Sequence, residues 1–96
     1  MITVCGKTED GKSVVYGIYR FFETEGVPLD VIFEILKLKN AIPDWMAFVK
    51  EATAAGMKPS RIISMLDTAI SDSYGLEMRN AVIPKLHEIY FSETKH

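Results

Sequence analysis

The eleven residues from Pro28 to Leu38 hold only three polar side chains, Asp30, Glu34 and Lys37. Leu29, Ile32, Phe33 and Leu36 recur at i, i+3, i+4 and i+7, which is the spacing of one helix face. Pro28 suits the first turn, where its missing N–H costs nothing. Val31, Ile35 and Leu38 supply a second apolar stripe beside the first. A helix that is apolar around most of its girth sits in the middle of a bundle or faces a partner. The chain must therefore wrap other helices around this segment or present it to another molecule.

Helical periodicity continues downstream. Ala41-Ile42-Pro43-Asp44 reads as a break, after which Trp45, Phe48, Val49 and Ala52 form one face. Gly56 ends that helix as a left-handed cap. Pro59 and Ser60 open another helix, with Ile62, Met65, Leu66, Ala69 and Ile70 in register and Ser73-Tyr74-Gly75 as its stop. Met78, Val82, Leu86, Ile89 and Tyr90 mark a last helix, where Pro84 removes the bond to the Asn80 carbonyl and predicts a kink or break. Residues 92–96 are expected to fray.

The first 25 residues admit two readings. Val14, Ile18, Phe21 and Phe22 fit a helix closed by Gly26, and the run into "VPLD" favours that reading. The same stretch is rich in strand formers, and Asp10-Gly11 is a hairpin turn signal. A hairpin centred there would set Glu9 opposite Lys12 and Cys5 opposite Tyr16. An internal echo supports helices: Gly26-Val27, Ile32, Ile35-Leu36 recur thirty residues on as Gly56-Met57, Ile62, Met65-Leu66. The predicted fold is an all-α bundle of four to five short helices. It comprises two αα-hairpins plus a C-terminal helix kinked at Pro84, with a short N-terminal strand or hairpin as a variant over residues 1–12. One domain spans residues 1–96.

Charge excludes some partners. Eleven basic and thirteen acidic residues give a net charge of -2, and the two halves of the chain are alike. No basic arm announces a polyanion. The apolar runs fall short of the roughly 20 residues that cross a bilayer, so no membrane association is expected. One cysteine, Cys5, and no signal-like leader predict a cytoplasmic setting.

Gly6, Gly11, Lys12 and Ser13 spell G-x-x-x-x-G-K-S, the phosphate loop of nucleotide hydrolases. In that reading Lys12 contacts the terminal phosphates, while Ser13 and Asp67, at the end of the apolar run from Ile62, hold Mg²⁺. Such a loop requires a parallel sheet behind it and a helix in front. The downstream sequence reads as helix, and Glu9 and Asp10 would crowd the phosphates with negative charge. Nucleotide binding through Gly6–Ser13 therefore ranks third among the functions considered.

Residues 48–66, "FVKEATAAGMKPSRIISML", resemble the helix-turn-helix signature of DNA-binding regulators. Ala52 stands where two helices touch, Gly56 turns the chain, Met57 fills the corner, and Ile62 and Met65 dock the second helix. The resemblance implies a reading helix within residues 48–71. Ser60, Arg61 and Ser64 would be among its outward residues, and Lys50 and Lys58 would clamp the backbone. Asp67 and Asp72 oppose phosphate approach, which places DNA binding second.

Other candidates for chemistry are sparse. His87 has no second ligand at metal spacing, His96 is terminal, and Cys5 lacks a local base. Glu23, Glu25 and Glu34 read as a solvated acidic edge. No cofactor and no catalytic constellation is expected. The surplus of aromatic and methionine side chains is the stronger signal, because these residues populate interface cores. The sequence thus points first to a non-enzymatic adaptor, regulator or inhibitor. It would bind protein, or pair with itself as a homodimer, through a face at Tyr16, Tyr19, Arg20, Trp45 and Met46.

Overall fold

The computed structural model describes residues 2–91. In chain order the elements are β1 (Thr3–Lys7), β2 (Ser13–Tyr16), α1 (Ile18–Glu25), α2 (Leu29–Leu38), β3 (Ala41–Pro43), α3 (Trp45–Ala54), α4 (Pro59–Ser73) and α5 (Leu76–Phe91). The expected all-α bundle is thereby corrected: five helices pack with a three-stranded mixed sheet in the order β1-β2-β3. β1 and β2 pair antiparallel, whereas β2 and β3 run parallel, joined by the crossover through α1 and α2.

The sheet has clear local causes. Asp10-Gly11 closes the hairpin, with Gly11 at φ +88°, a region side chains rarely occupy. Val14, Val15 and Tyr16 are strand formers, and Gly17, at φ +89°, turns the chain sharply from β2 into α1. The favoured helix over Val14–Glu25 is therefore right only from Ile18 onward. The hairpin register also differs from the one expected. Thr3, not Cys5, faces Tyr16, and a bulge between Val4 and Gly6 leaves Cys5 out of the pairing.

Ala41-Ile42-Pro43, read as a helix break, is strand β3. Its Pro43 is tolerated because β3 is an edge strand. The backbone ties it on both sides of its length: Ser13 donates to the Asn40 carbonyl at 3.0 Å, and Asp44 to the Val15 carbonyl at 2.7 Å.

The helical half follows the sequence closely. Gly26 and Gly56 both cap helices in the left-handed region, giving two helix–Gly–helix corners. α1 packs on α3 and α2 on α4, and α5 closes against α4. Ile18, Phe33, Phe48, Val49, Ile62, Leu66 and Ile70 are fully buried at the centre. α5 is one helix from Leu76 to Phe91, without a break at Pro84. Asn80, whose carbonyl loses its donor there, is exposed and can bond water instead.

Candidate protein-docking groove

Asp44 starts α3. Its carboxylate accepts the Ala47 N–H at 3.1 Å, and the β3 ladder fixes its own backbone. Trp45 and Met46, in the first turn, are thus aimed by the end of the sheet. The Trp45 ring meets Phe33 edge-on at 5.6 Å and Tyr74 at 6.2 Å, while Phe33 and Tyr74 lie 5.8 Å apart. This aromatic triad anchors one side of Trp45, which is half-buried.

The other side opens on α5. Ala81, Val82, Lys85, Leu86 and Ile89 share one flank of that helix, and with Trp45 and Met46 they line a groove of about 290 Å³. Met46 and Ile89 are partly exposed at its lips, and among the described residues Lys85 is the one charge on its wall. The Tyr90 hydroxyl reaches the Met46 sulfur at 3.9 Å. A second hollow of about 360 Å³ shares Ala81 and runs past Met78 and Tyr74 toward Lys12 and Lys37. Together they offer an apolar floor with lysines and Glu77 at the margin.

Burial raises the Tyr74 hydroxyl well above the ordinary tyrosine range, with Glu34 adding to the effect. The neutral phenol donates to the Ala41 carbonyl at 2.8 Å, pinning the end of α4 to β3. Lys37 donates to the Ser73 carbonyl at 3.2 Å across the neighbouring end of α2. The hollow beside the groove therefore has fixed walls.

The five residues predicted as a partner face do not form one. Trp45 and Met46 share the groove. Tyr19 is buried, packed edge-on against Phe48 at 5.5 Å, with its hydroxyl on Glu23 and on the Met57 sulfur. Tyr16 is exposed at the end of β2. Arg20 is exposed on α1, where it and the edge of Tyr19 line a separate hollow with Lys50, Glu23 and Glu51. The α5 wall was missed because the sequence marks Val82, Leu86 and Ile89 only as one face of a last helix, with nothing in it to set that face beside Trp45.

The phosphate-loop residues lie in a hairpin. Gly6 belongs to β1, Gly11 and Lys12 to the turn, and Ser13 opens β2, so no helix N-terminus follows them. The Lys12 ammonium contacts Asp10 at 2.8 Å. Hydrogen bonds from Lys12 and then Thr8 hold the Asp10 carboxyl down at about 2. The amides of Gly11 and Lys12 are spent on the Thr8 carbonyl and hydroxyl. Asp67 sits on α4 and is gripped by two Arg79 nitrogens, Nε at 2.8 Å and Nη2 at 2.9 Å.

The helix-turn-helix residues keep the local shape expected of them. α3, the turn at Gly56 and α4 form a corner, with Ala52 and Ile62 buried inside it. Lys50, Lys58, Ser60, Arg61 and Ser64 are exposed. His87 is exposed and stacks near Phe91 at 5.0 Å. Cys5 is an exposed free thiol. Glu23, Glu25 and Glu34 are exposed, as an acidic edge requires. His96 and the tail expected to fray lie outside the described residues. Among the described residues no cluster of His, Cys, Asp and Glu could hold a metal, and no helix is long and apolar enough to cross a membrane.

No family model, curated protein or solved structure matches this chain.

Proposed function

We propose that this protein is a non-enzymatic protein-binding module, an adaptor, regulator or inhibitor that receives part of another protein in the α3/α5 groove. The observation that carries this reading is the placing of Trp45 and Met46 against Val82, Leu86 and Ile89 around about 290 Å³ of open apolar space. An aromatic anchor and a flexible methionine are what interface cores are made of, and a lysine belongs on the polar rim. Substituting Trp45 tests this poorly, because its ring also stacks on Phe33 and Tyr74. Met46→Glu and Ile89→Glu place charge on the lips without disturbing the core. Each should abolish a stoichiometric, nuclease-resistant complex captured from lysate while leaving the melting temperature unchanged. Capture that survives both substitutions would remove the groove from the function.

A second reading is kept by the α3–Gly56–α4 corner, which exposes Ser60, Arg61 and Ser64 on α4 with Lys58 at the turn. Asp72 is exposed on the same helix, which limits phosphate contacts to a few and makes binding weak and salt-sensitive. DNA retention lost by Arg61→Ala and by moderate salt would favour this reading over the groove.

A further inference from the structure

α2 carries apolar side chains that the other described residues leave partly open to solvent. Leu29, Ile32, Phe33 and Leu36 are buried, yet Val31 is 42% exposed, Ile35 46% and Leu38 86%. These three stand at i, i+4 and i+7, on the side of the helix opposite its buried face. Spacings of four and then three are those of a coiled-coil seam, with Val31 and Leu38 at d positions and Ile35 at a. Such a seam packs against the matching seam of another helix, each knob entering a hole between four residues of its neighbour.

Its flanking charges discriminate between occupants. With this phase Glu34 takes the g position and Lys39 the following e position. Both are exposed, and neither makes an ion pair within the chain among the described residues. In a parallel pair of helices, g of one strand meets the next e of its partner. A second copy of α2 therefore sets Glu34 against Lys39 twice, once on each side of the twofold axis. In an antiparallel pair g meets g, and the two Glu34 carboxylates would face each other. We propose that the solvent face of α2 is a self-association surface. Two copies of this chain pair there through parallel α2 helices, with Val31, Ile35 and Leu38 as the seam and reciprocal Glu34–Lys39 ion pairs as its flanks.

The surface is separate from the α3/α5 groove, and its test does not depend on that groove's partner. Three side chains per copy form a small contact beside the roughly 1,600 Å² of a standard interface, so the dimer is weak and requires high protein concentration. Sedimentation equilibrium of the full chain from low micromolar to near-millimolar concentration should show a reversible monomer–dimer equilibrium. Leu38→Lys should leave a monomer throughout, with unchanged melting temperature, because Leu38 is 86% exposed. Ile35→Lys is the second variant at the centre of the seam and should behave alike.

Glu34→Lys faces Lys39 of the other copy and should raise the dimer dissociation constant about tenfold. Glu34→Lys combined with Lys39→Glu in one chain should restore the dimer. A wild-type chain that stays monomeric at every concentration would overturn the proposal and leave α2 to a different protein. A dimer indifferent to Leu38→Lys and Ile35→Lys would overturn it too. A dimer unaffected by Glu34→Lys would overturn the parallel arrangement.

Discussion

The Glu51 carboxylate accepts the Gly17 N–H at 3.0 Å, across 34 residues of sequence. Its other oxygen accepts the Arg20 N–H at 3.3 Å. Gly17 occupies the cap position of α1 and has no side chain with which to cap it. α3 therefore supplies the carboxylate that α1 lacks, at the positive end of the helix.

Glu51→Ala removes that cap and leaves a buried glycine N–H unsatisfied. The expected cost is about 1–2 kcal/mol in urea unfolding. Glu51→Gln keeps one acceptor and should cost less. Equal stability of wild type and alanine variant would mean that α1 finds its cap elsewhere.

Acid should loosen the hairpin turn late. Lys12 and Thr8 hold the Asp10 carboxyl at about 2 instead of the usual 3.8. A depressed carboxyl contributes above its unfolded value and is lost as pH falls through its folded value. The turn's contribution is thus whole above pH 4 and disappears toward about 2. The Gly11 and Lys12 amide shifts should titrate with that midpoint, and Lys12→Ala should move it upward.

Tyr74→Phe deletes a single hydroxyl and leaves the ring packing of Phe33, Trp45 and Tyr74 in place. It removes the 2.8 Å hydrogen bond to the Ala41 carbonyl. A loss of about 1 kcal/mol is expected, with faster amide exchange in β3. Unaltered exchange there would show that β3 is held by β2 alone.

Pro84 interrupts the ladder of α5 on its exposed side. Pro84→Ala restores the donor for the Asn80 carbonyl and removes the ring's clash, so it should stabilise the chain by about 1–3 kcal/mol. Destabilisation would mean that the proline ring packs against something the helix needs.

The helices after Pro28 were legible because each has a Gly, Pro or Asp at its ends and a 3.6-residue period between them. The N-terminal quarter was not. Val14, Ile18, Phe21 and Phe22 happen to fall at helical spacing, yet Gly17 divides them between a strand and a helix. Proline inside the three-residue β3 reads as a breaker, and no period can form over so short a span. Hairpin register went astray in two steps: the turn sets Thr8 rather than Glu9 against Lys12, and one bulged residue, Cys5, shifts every pair beyond it by one more. Trp45 and Met46 were identified in the sequence as surface anchors, and the groove contains them. Its far wall lies some forty residues on, brought near only by tertiary packing. The second stripe of α2 was visible from the start, and only the structure shows that it faces water.

The two ends of the sheet differ in what they would do to an unfolding or crowded chain. Along β3 the residues alternate, and those turned away from β2 are Ala41 and Pro43. Tyr74 already holds the outward carbonyl of Ala41, and Pro43 has no N–H to give. That margin is sealed against a foreign strand. The margin at β1 carries a bulge and Lys7, and all five of its residues are exposed. Among the described strands, a foreign strand is therefore expected to add beside β1 rather than beside β3.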